Sequence, residues 1–218
     1  MSYILNGEYW QMSDPTSIPN LLIGHIVMTV VAIVLGLAIA FPIALVVVRY
    51  KRFYLPVTSA AGIIYTFPSL AFMALLIPFT GLSPATVLVP LVLYTQVVLI
   101  RNIVAAIHAV DPALLEVGRA MGMSGTQLLL RVTLPLALPV IVAGVRVATV
   151  TTIGIASIAP LFGVENLGYL IFQGINFSYG EQVMAGVILV SLLAIGADLT
   201  LLGVQSILSR GRQIATVA

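Results

Sequence analysis

Five apolar runs, 21–48, 55–80, 84–107, 136–162 and 182–208, take up most of this chain, and each is long enough to cross a hydrocarbon core of about 30 Å as a helix. A water-soluble fold has nowhere to bury them. Of the 218 residues, 61% are hydrophobic and 7% charged, and the mean hydropathy is +1.17. The fold class is therefore an all-α integral membrane protein, read as one transmembrane domain over 1–218 with a loop at 109–135. The absence of cysteine excludes disulfides, thiol catalysis and thiolate metal sites.

Direction follows from charge. Arg49, Lys51 and Arg52 follow the first run, Arg119 and Arg131 lie in the loop after the third, and Arg210 and Arg212 follow the fifth. The positive-inside rule makes all three joints cytoplasmic. Arg101 and Arg146 then fall in the cytoplasmic halves of spans three and four. The opposite side receives Glu8, Asp14, Glu165 and Glu181, so the N-terminus is expected outside and the C-terminus inside. The net charge of +2 is too small and scattered for a nucleic-acid surface. Residues 1–20 lack a basic leader and are not read as a signal peptide. Tyr3, Tyr9 and Trp10 there form an interfacial anchor or a loosely ordered end.

Gly36, Ala40 and Ala44 make a small-residue stripe suited to a close helix contact. Pro42, Pro68, Pro78, Pro90, Pro139 and Pro160 lie in or at the ends of spans and read as kinks. No internal repeat is visible, which leaves an inverted-repeat carrier without support.

The longest polar interruption carries the most information. Asp111-Pro112 is a helix start, because the carboxylate can accept from orphan amides and proline has no N–H to satisfy. A helix is expected to about Met121, with Gly122 in the left-handed position that ends it. Ser124 and Gln127 have capping-box spacing for a second helix toward Val132, closed by Leu134-Pro135. Leu114, Val117 and Met121 share one side of the first helix, flanked by Glu116 and Arg119. An apolar face in the cytosol suggests a protein partner.

This loop resembles the cytoplasmic signature of type I ABC importer permeases: Glu-Ala-Ala, three residues, Gly, nine residues, then Ile-x-Leu-Pro. Here the match is Glu116-Val117-Gly118, Gly122 and Val132-Thr133-Leu134-Pro135, with both spacings kept. Gly118 departs from the second alanine and should loosen the helix by about 1 kcal/mol. The likeness extends over most of 21–212 and narrows to the osmoprotectant branch, which takes up glycine betaine, choline and carnitine. It rests on Ile64-Tyr65-Thr66-Phe67-Pro68-Ser69-Leu70-Ala71, Leu93-Tyr94, Arg101-Asn102, Val110-Asp111-Pro112-Ala113, Gly144-Val145-Arg146, Leu167-Gly168 and Ile171-Phe172-Gln173-Gly174-Ile175. Tyr65 and Glu165-Asn166 depart from the branch, and methionine importers share the five-span plan.

The resemblance implies an inner-membrane permease whose segment at Asp111, Leu114, Glu116, Val117, Met121, Gly122 and Pro135 docks on an ATPase. It also implies two ATPase subunits that hold ATP and Mg, an extracytoplasmic substrate-binding protein, and no cofactor on this chain. Five helices are few for a pore, so a second permease copy or a paralogue is expected about a twofold axis.

Within the spans, Asp198 and Arg146 are expected to pair, with a cation site on the solute path as the alternative. Tyr65, Phe67, Phe72 and Tyr94 could offer π-faces to a quaternary ammonium, and Thr66 and Ser69 join them as path candidates, although packing and backbone bonding by hydroxyls compete. His25 and His108 read as interfacial residues, with no metal-ligand spacing. No phosphate loop and no nucleophile–base arrangement is present, so the chain is not read as an enzyme. The rival of another class is a membrane scaffold, or an intramembrane enzyme using Asp198 and Arg146.

Overall fold

The computed structural model describes residues 2–213, with side chains described for 3–209. The side chains of Arg210 and Arg212 and the C-terminus, used above for direction, lie outside the described residues. All regular structure among the described residues is helical: α1 (Ser2–Leu5), α2 (Ile18–Arg49), α3 (Tyr54–Thr66), α4 (Ser69–Thr80), α5 (Pro84–His108), α6 (Pro112–Ala120), α7 (Gly125–Leu128), α8 (Leu134–Ala156), α9 (Gly168–Asn176) and α10 (Gly180–Gln213). Four helical stretches are long and apolar enough to cross a membrane, and α3 with α4 supplies a fifth crossing if the bent pair is one span.

α5 is the centre of the bundle, packed by α2, α3, α4 and α8. The stripe Gly36, Ala40 and Ala44 is the side of α2 that meets it, and all three residues are buried. A Cβ on Gly36 would run into Thr95 Oγ1. Thr95 itself is buried and donates to the carbonyl of Val92 at 2.7 Å, so it faces α2 rather than open space. Gln96 also spans the contact, donating to Gly36 O at 3.2 Å. On the other flank, Gly144 of α8 sits against the Asn102 side chain of α5. Small residues thus let three long helices approach closely enough for dispersion and carbonyl contacts, the forces that remain when lipid removes the hydrophobic drive between helices.

Two expected spans have different bounds. The run 55–80 is not one helix with a kink: α3 and α4 meet at 91°. Pro68 pushes Phe67 out of the helical region, to φ −64° and ψ 130°, and begins α4 as its cap. Pro42, Pro78, Pro90 and Pro139, by contrast, stay inside their helices. The run 136–162 starts earlier and ends earlier. Leu134-Pro135 does not close the loop, because α7 continues through a π-turn at Leu129–Thr133 into α8 as one helix, Gly125–Ala156. The wider turn makes room for the proline ring, and Thr133 Oγ1 donates to Leu128 O at 3.3 Å inside it. Beyond Ala156 the chain forms a 3-10 turn at Ala159–Phe162.

The stretch 163–181, read as a loop, contains α9. Its start is clamped by Asn166, which is fully buried, donates to Ala156 O at 2.7 Å and accepts from Gly168 N at 2.8 Å. Leu167 and Leu170 cluster with Tyr3, Ile18, Leu21 and Ala185, so the N-terminal segment and α9 cap the same end of the bundle. Tyr3 stacks on Tyr9 with ring centroids 3.9 Å apart, which places the N-terminal aromatics in this cap. His25 is corrected from an interfacial residue to a buried one: its Nε2 donates to Ile153 O at 3.0 Å and ties α2 to α8. His108 is exposed at the other end.

Gly36→Val should separate α2 from α5 and destabilise the detergent-solubilised protein by about 1–3 kcal/mol, as overpacking does elsewhere. A thermal melt at fixed detergent and lipid checks this; an unchanged midpoint would refute the close contact.

Candidate functional site

Three groups of residues singled out by sequence take shape in the fold. The first is the loop between α5 and α8. Asp111 Oδ1 accepts from Ala113 N at 2.8 Å, with Pro112 at the first helical position of α6. Gly122 has φ +80°, and the end of α6 is a Schellman closure: Gly122 N donates to Arg119 O at 2.9 Å and Met123 N to Gly118 O at 3.1 Å. Ser124 and Gln127 exchange both bonds of a capping box, at 2.8 and 3.3 Å. Both ends of α6 and the start of α7 are therefore capped locally, and α6 stands as a one-helix projection.

Leu114, Val117 and Met121 lie on its outer face, exposed by 46%, 57% and 72%. Exposure of that degree, beside exposed Glu116 and Arg119, leaves an apolar strip uncovered on α6. Gly118 does more than loosen the helix: it is buried, and a Cβ there would stand 2.5 Å from Leu128 Cδ1. Leu128 of α7 packs into the notch that glycine leaves. Pro135, the far end of the motif, is exposed in the first turn of α8 rather than in the loop.

The second group surrounds the break between α3 and α4. Tyr94 of α5 is the hub: its ring meets Tyr65 edge-on at 5.7 Å and Phe72 at 5.9 Å, and Phe67 lies 5.7 Å from Phe72. Its hydroxyl donates to Phe67 O at 2.9 Å, satisfying a carbonyl that the broken helix freed. Thr66 Oγ1 turns back to Ile63 O at 2.6 Å. Ser69 is half-buried in the first turn of α4. Tyr94 is buried, whereas Tyr65 and Phe67 are 43% and 49% exposed, so the cluster has an open π surface. Irregular backbone at membrane depth persists only where protein covers it or it lines a water-filled space.

The third group is intramembrane. Arg146 of α8 grips Asp198 of α10 with two bonds, Nη2 to Oδ2 at 2.8 Å and Nε to Oδ1 at 3.0 Å. Its remaining Nη1 donates to Gln205 Oε1 at 2.9 Å. Three donors of one guanidinium are thereby matched, the geometry in which Arg pairing is strongest. Sequence reasoning missed Gln205. The signal was available, since Gln205 lies two helical turns after Asp198 on the same side of α10.

No group of three or more metal-ligating side chains occurs among the described residues.

Residues 32–213 match the family model described as binding-protein-dependent transport system inner membrane component. The chain belongs to this family. The family's permeases are membrane subunits of importers rather than enzymes. Among relatives, the choline transport system permease protein OpuBB of Bacillus subtilis (strain 168) is 37% identical over 177 residues, covering 81% of this chain and 82% of that protein. The carnitine transport permease protein OpuCD of Listeria monocytogenes serotype 1/2a (strain 10403S) is 39% identical over 201 residues, 92% of this chain and 84% of that one. Among solved structures, an inward-facing form of the MetNI methionine ABC transporter aligns with TM-score 0.77 at 20% identity, covering 88% of this chain and 95% of its own. The fold is that of type I importer permeases.

Asp198→Asn keeps the shape but removes the charge, leaving the guanidinium of Arg146 without its counter-ion between two spans. It should lower the melting temperature and the yield of folded protein. Arg146→Met with Asp198→Leu should recover most of both, because an apolar pair carries no uncompensated charge. If the double variant is no more stable than the single ones, the pair is not what holds α8 to α10.

Proposed function

We propose that this chain is the permease subunit of an ATP-driven importer for quaternary-ammonium and zwitterionic osmoprotectants of the glycine betaine, choline and carnitine type. The observation that carries the solute class is the 39% identity over 92% of the chain to a carnitine permease, with a choline permease at 37%. The methionine transporter is a likeness of fold at 20% identity and does not favour methionine as the solute.

In this reading two permease subunits, a pair of copies or this chain with a paralogue, enclose the path, and the broken second span lines it. The exposed rings of Tyr65 and Phe67, backed by Phe72 and the buried Tyr94, supply weak cation–π contacts, with Thr66 and Ser69 at the break as polar contacts. Two ATPase subunits hold ATP and Mg, and each receives α6 in a groove through Leu114, Val117 and Met121, with Glu116 at the rim. Asp111 and Gly122 set the shape of that projection. Closure of the ATPases on ATP displaces α6 and turns the path from inward-open to outward-open.

Direction in the inner membrane is supported by the distribution of charge between the two ends of the bundle. The end that holds the loop packs Val47, Ile107, Val110 and Leu115 together and carries Arg49, Lys51, Arg52, Arg119 and Arg131. That end is cytoplasmic. The other end, with Glu8, Asp14, Glu165, Glu181 and the α9 cap, meets the binding protein.

Gly122→Val puts a β-branched residue at φ +80°, at a cost of about 1–2 kcal/mol, or roughly tenfold in the docked population. The affinity-purified variant should lose most of its ATPase partner while keeping the wild-type melt. Proteoliposomes of the whole importer with its binding protein should take up choline, glycine betaine or carnitine and not methionine. Uptake of methionine alone would overturn the solute class, and wild-type chain that retains no ATPase would overturn the importer reading itself.

A further inference from the structure

Arg146 has three matched donors, but the other intramembrane arginine has none. Among the described residues Arg101 makes no ion pair and no hydrogen bond, and its side chain is exposed. It lies seven residues before the end of α5 at His108, about 10 Å inside the cytoplasmic end of the span. A bare guanidinium facing hydrocarbon at that depth is costly, and such groups face a bundle interior or a water-filled space.

Its surroundings point the same way. α5 is covered by α2, α3, α4 and α8, and Arg101 and Ala105 continue the side of the helix that bears Tyr94, two turns away. α3 runs alongside in the opposite direction, placing Tyr65 against Tyr94 and Gly62 against Arg101. The guanidinium Nη2 is 3.8 Å from where a Cβ on Gly62 would be, an ordinary van der Waals contact that places the charge against α3. One surface therefore carries π-faces and, about one turn of α3 nearer the cytoplasm, an unneutralised cation beside a glycine.

We infer that Arg101 is a second station on the solute path, one that binds the carboxylate of a zwitterionic solute after its quaternary ammonium has left the aromatic cluster. This rests on the path reading above. The guanidinium lies beside Gly62, one turn of α3 from Tyr65, so the carboxylate meets it as the ammonium leaves the rings. Neither needs to be deep, as passage demands: binding must be strong enough to enter and weak enough to leave. A cation without a carboxylate gains nothing at Arg101 and is repelled by it, so the station favours zwitterions over simple cations.

The test uses the complete importer, with its ATPase and saturating binding protein, in proteoliposomes. Arg101→Gln should lower the maximal rate for carnitine and glycine betaine by about tenfold, the scale of one lost charge-assisted hydrogen bond, and leave choline equal or faster. Arg101→Lys should restore part of the zwitterion rate. The chain has no cysteine, so Arg101→Cys adds a readout independent of turnover: it should react with a water-soluble anionic thiosulfonate, and carnitine should protect it more than choline does. Equal losses for all three solutes would make Arg101 structural. No change in any rate, together with a thiol unreactive in water, would assign the guanidinium to lipid phosphates. Either result overturns the station while leaving osmoprotectant uptake intact, whereas a wild-type importer that moves none of the three solutes overturns the path reading and the station with it.

Discussion

The close approach of α2 and α8 to α5 is the contact on which the other features depend. In lipid there is no hydrophobic gain from bringing one apolar helix to another, so the bundle is held by surfaces that fit. Gly36 against Thr95 and Gly144 against Asn102 are the points of fit, and a single added methyl group at either would collide. Once α5 is fixed between these partners, Tyr94 is held where it can reach the carbonyl of Phe67. The broken span then has an anchor, and the orientation of its exposed aromatics follows from the packing of a different pair of helices.

The bundle places polar groups by the same economy. His25, Gln96 and Asn166 are buried, and each donates to a backbone carbonyl of another segment. Each converts a polar cost into a cross-link between separate elements. Arg146 does so between side chains of α8 and α10. Arg101, built of the same chemistry on the neighbouring helix, is left out of this scheme.

Much of this was legible in the sequence. Hydropathy marks the spanning segments because it reports burial in lipid without needing partners, and the loop is legible because Asp111, Gly122, Ser124 and Gln127 act on backbone within a few residues of themselves. What could not be read depends on distant residues. Pro68 gives the same local signal as Pro42, Pro90 or Pro139, yet it alone stands at a sharp break; the tyrosine that receives the freed carbonyl comes from another helix. Leu134-Pro135 looked like a stop because a proline inside an α-helix collides with the turn before it, and a π-turn removes that collision. His25 looked interfacial because its depth depends on how α2 is seated against α8. Gly118 looked like a weak helix residue because the notch it leaves for Leu128 exists only when α7 folds back.

The unbroken helix from Gly125 to Ala156 has a mechanical consequence. Its 32 residues make a rod about 48 Å long, rooted beside the α6 projection and ending under the cap formed by Asn166 and α9. A tilt of about 5° at the root sweeps the far tip through about 4 Å, by the rise of the helix. The π-turn near the root, followed by Pro139 with no N–H to give, leaves slack in the hydrogen bonding at that end of the rod. A lever with its flexure close to one end multiplies small strokes, so a displacement of α6 too slight to rearrange its own end of the bundle would still move the opposite end by the width of an atom.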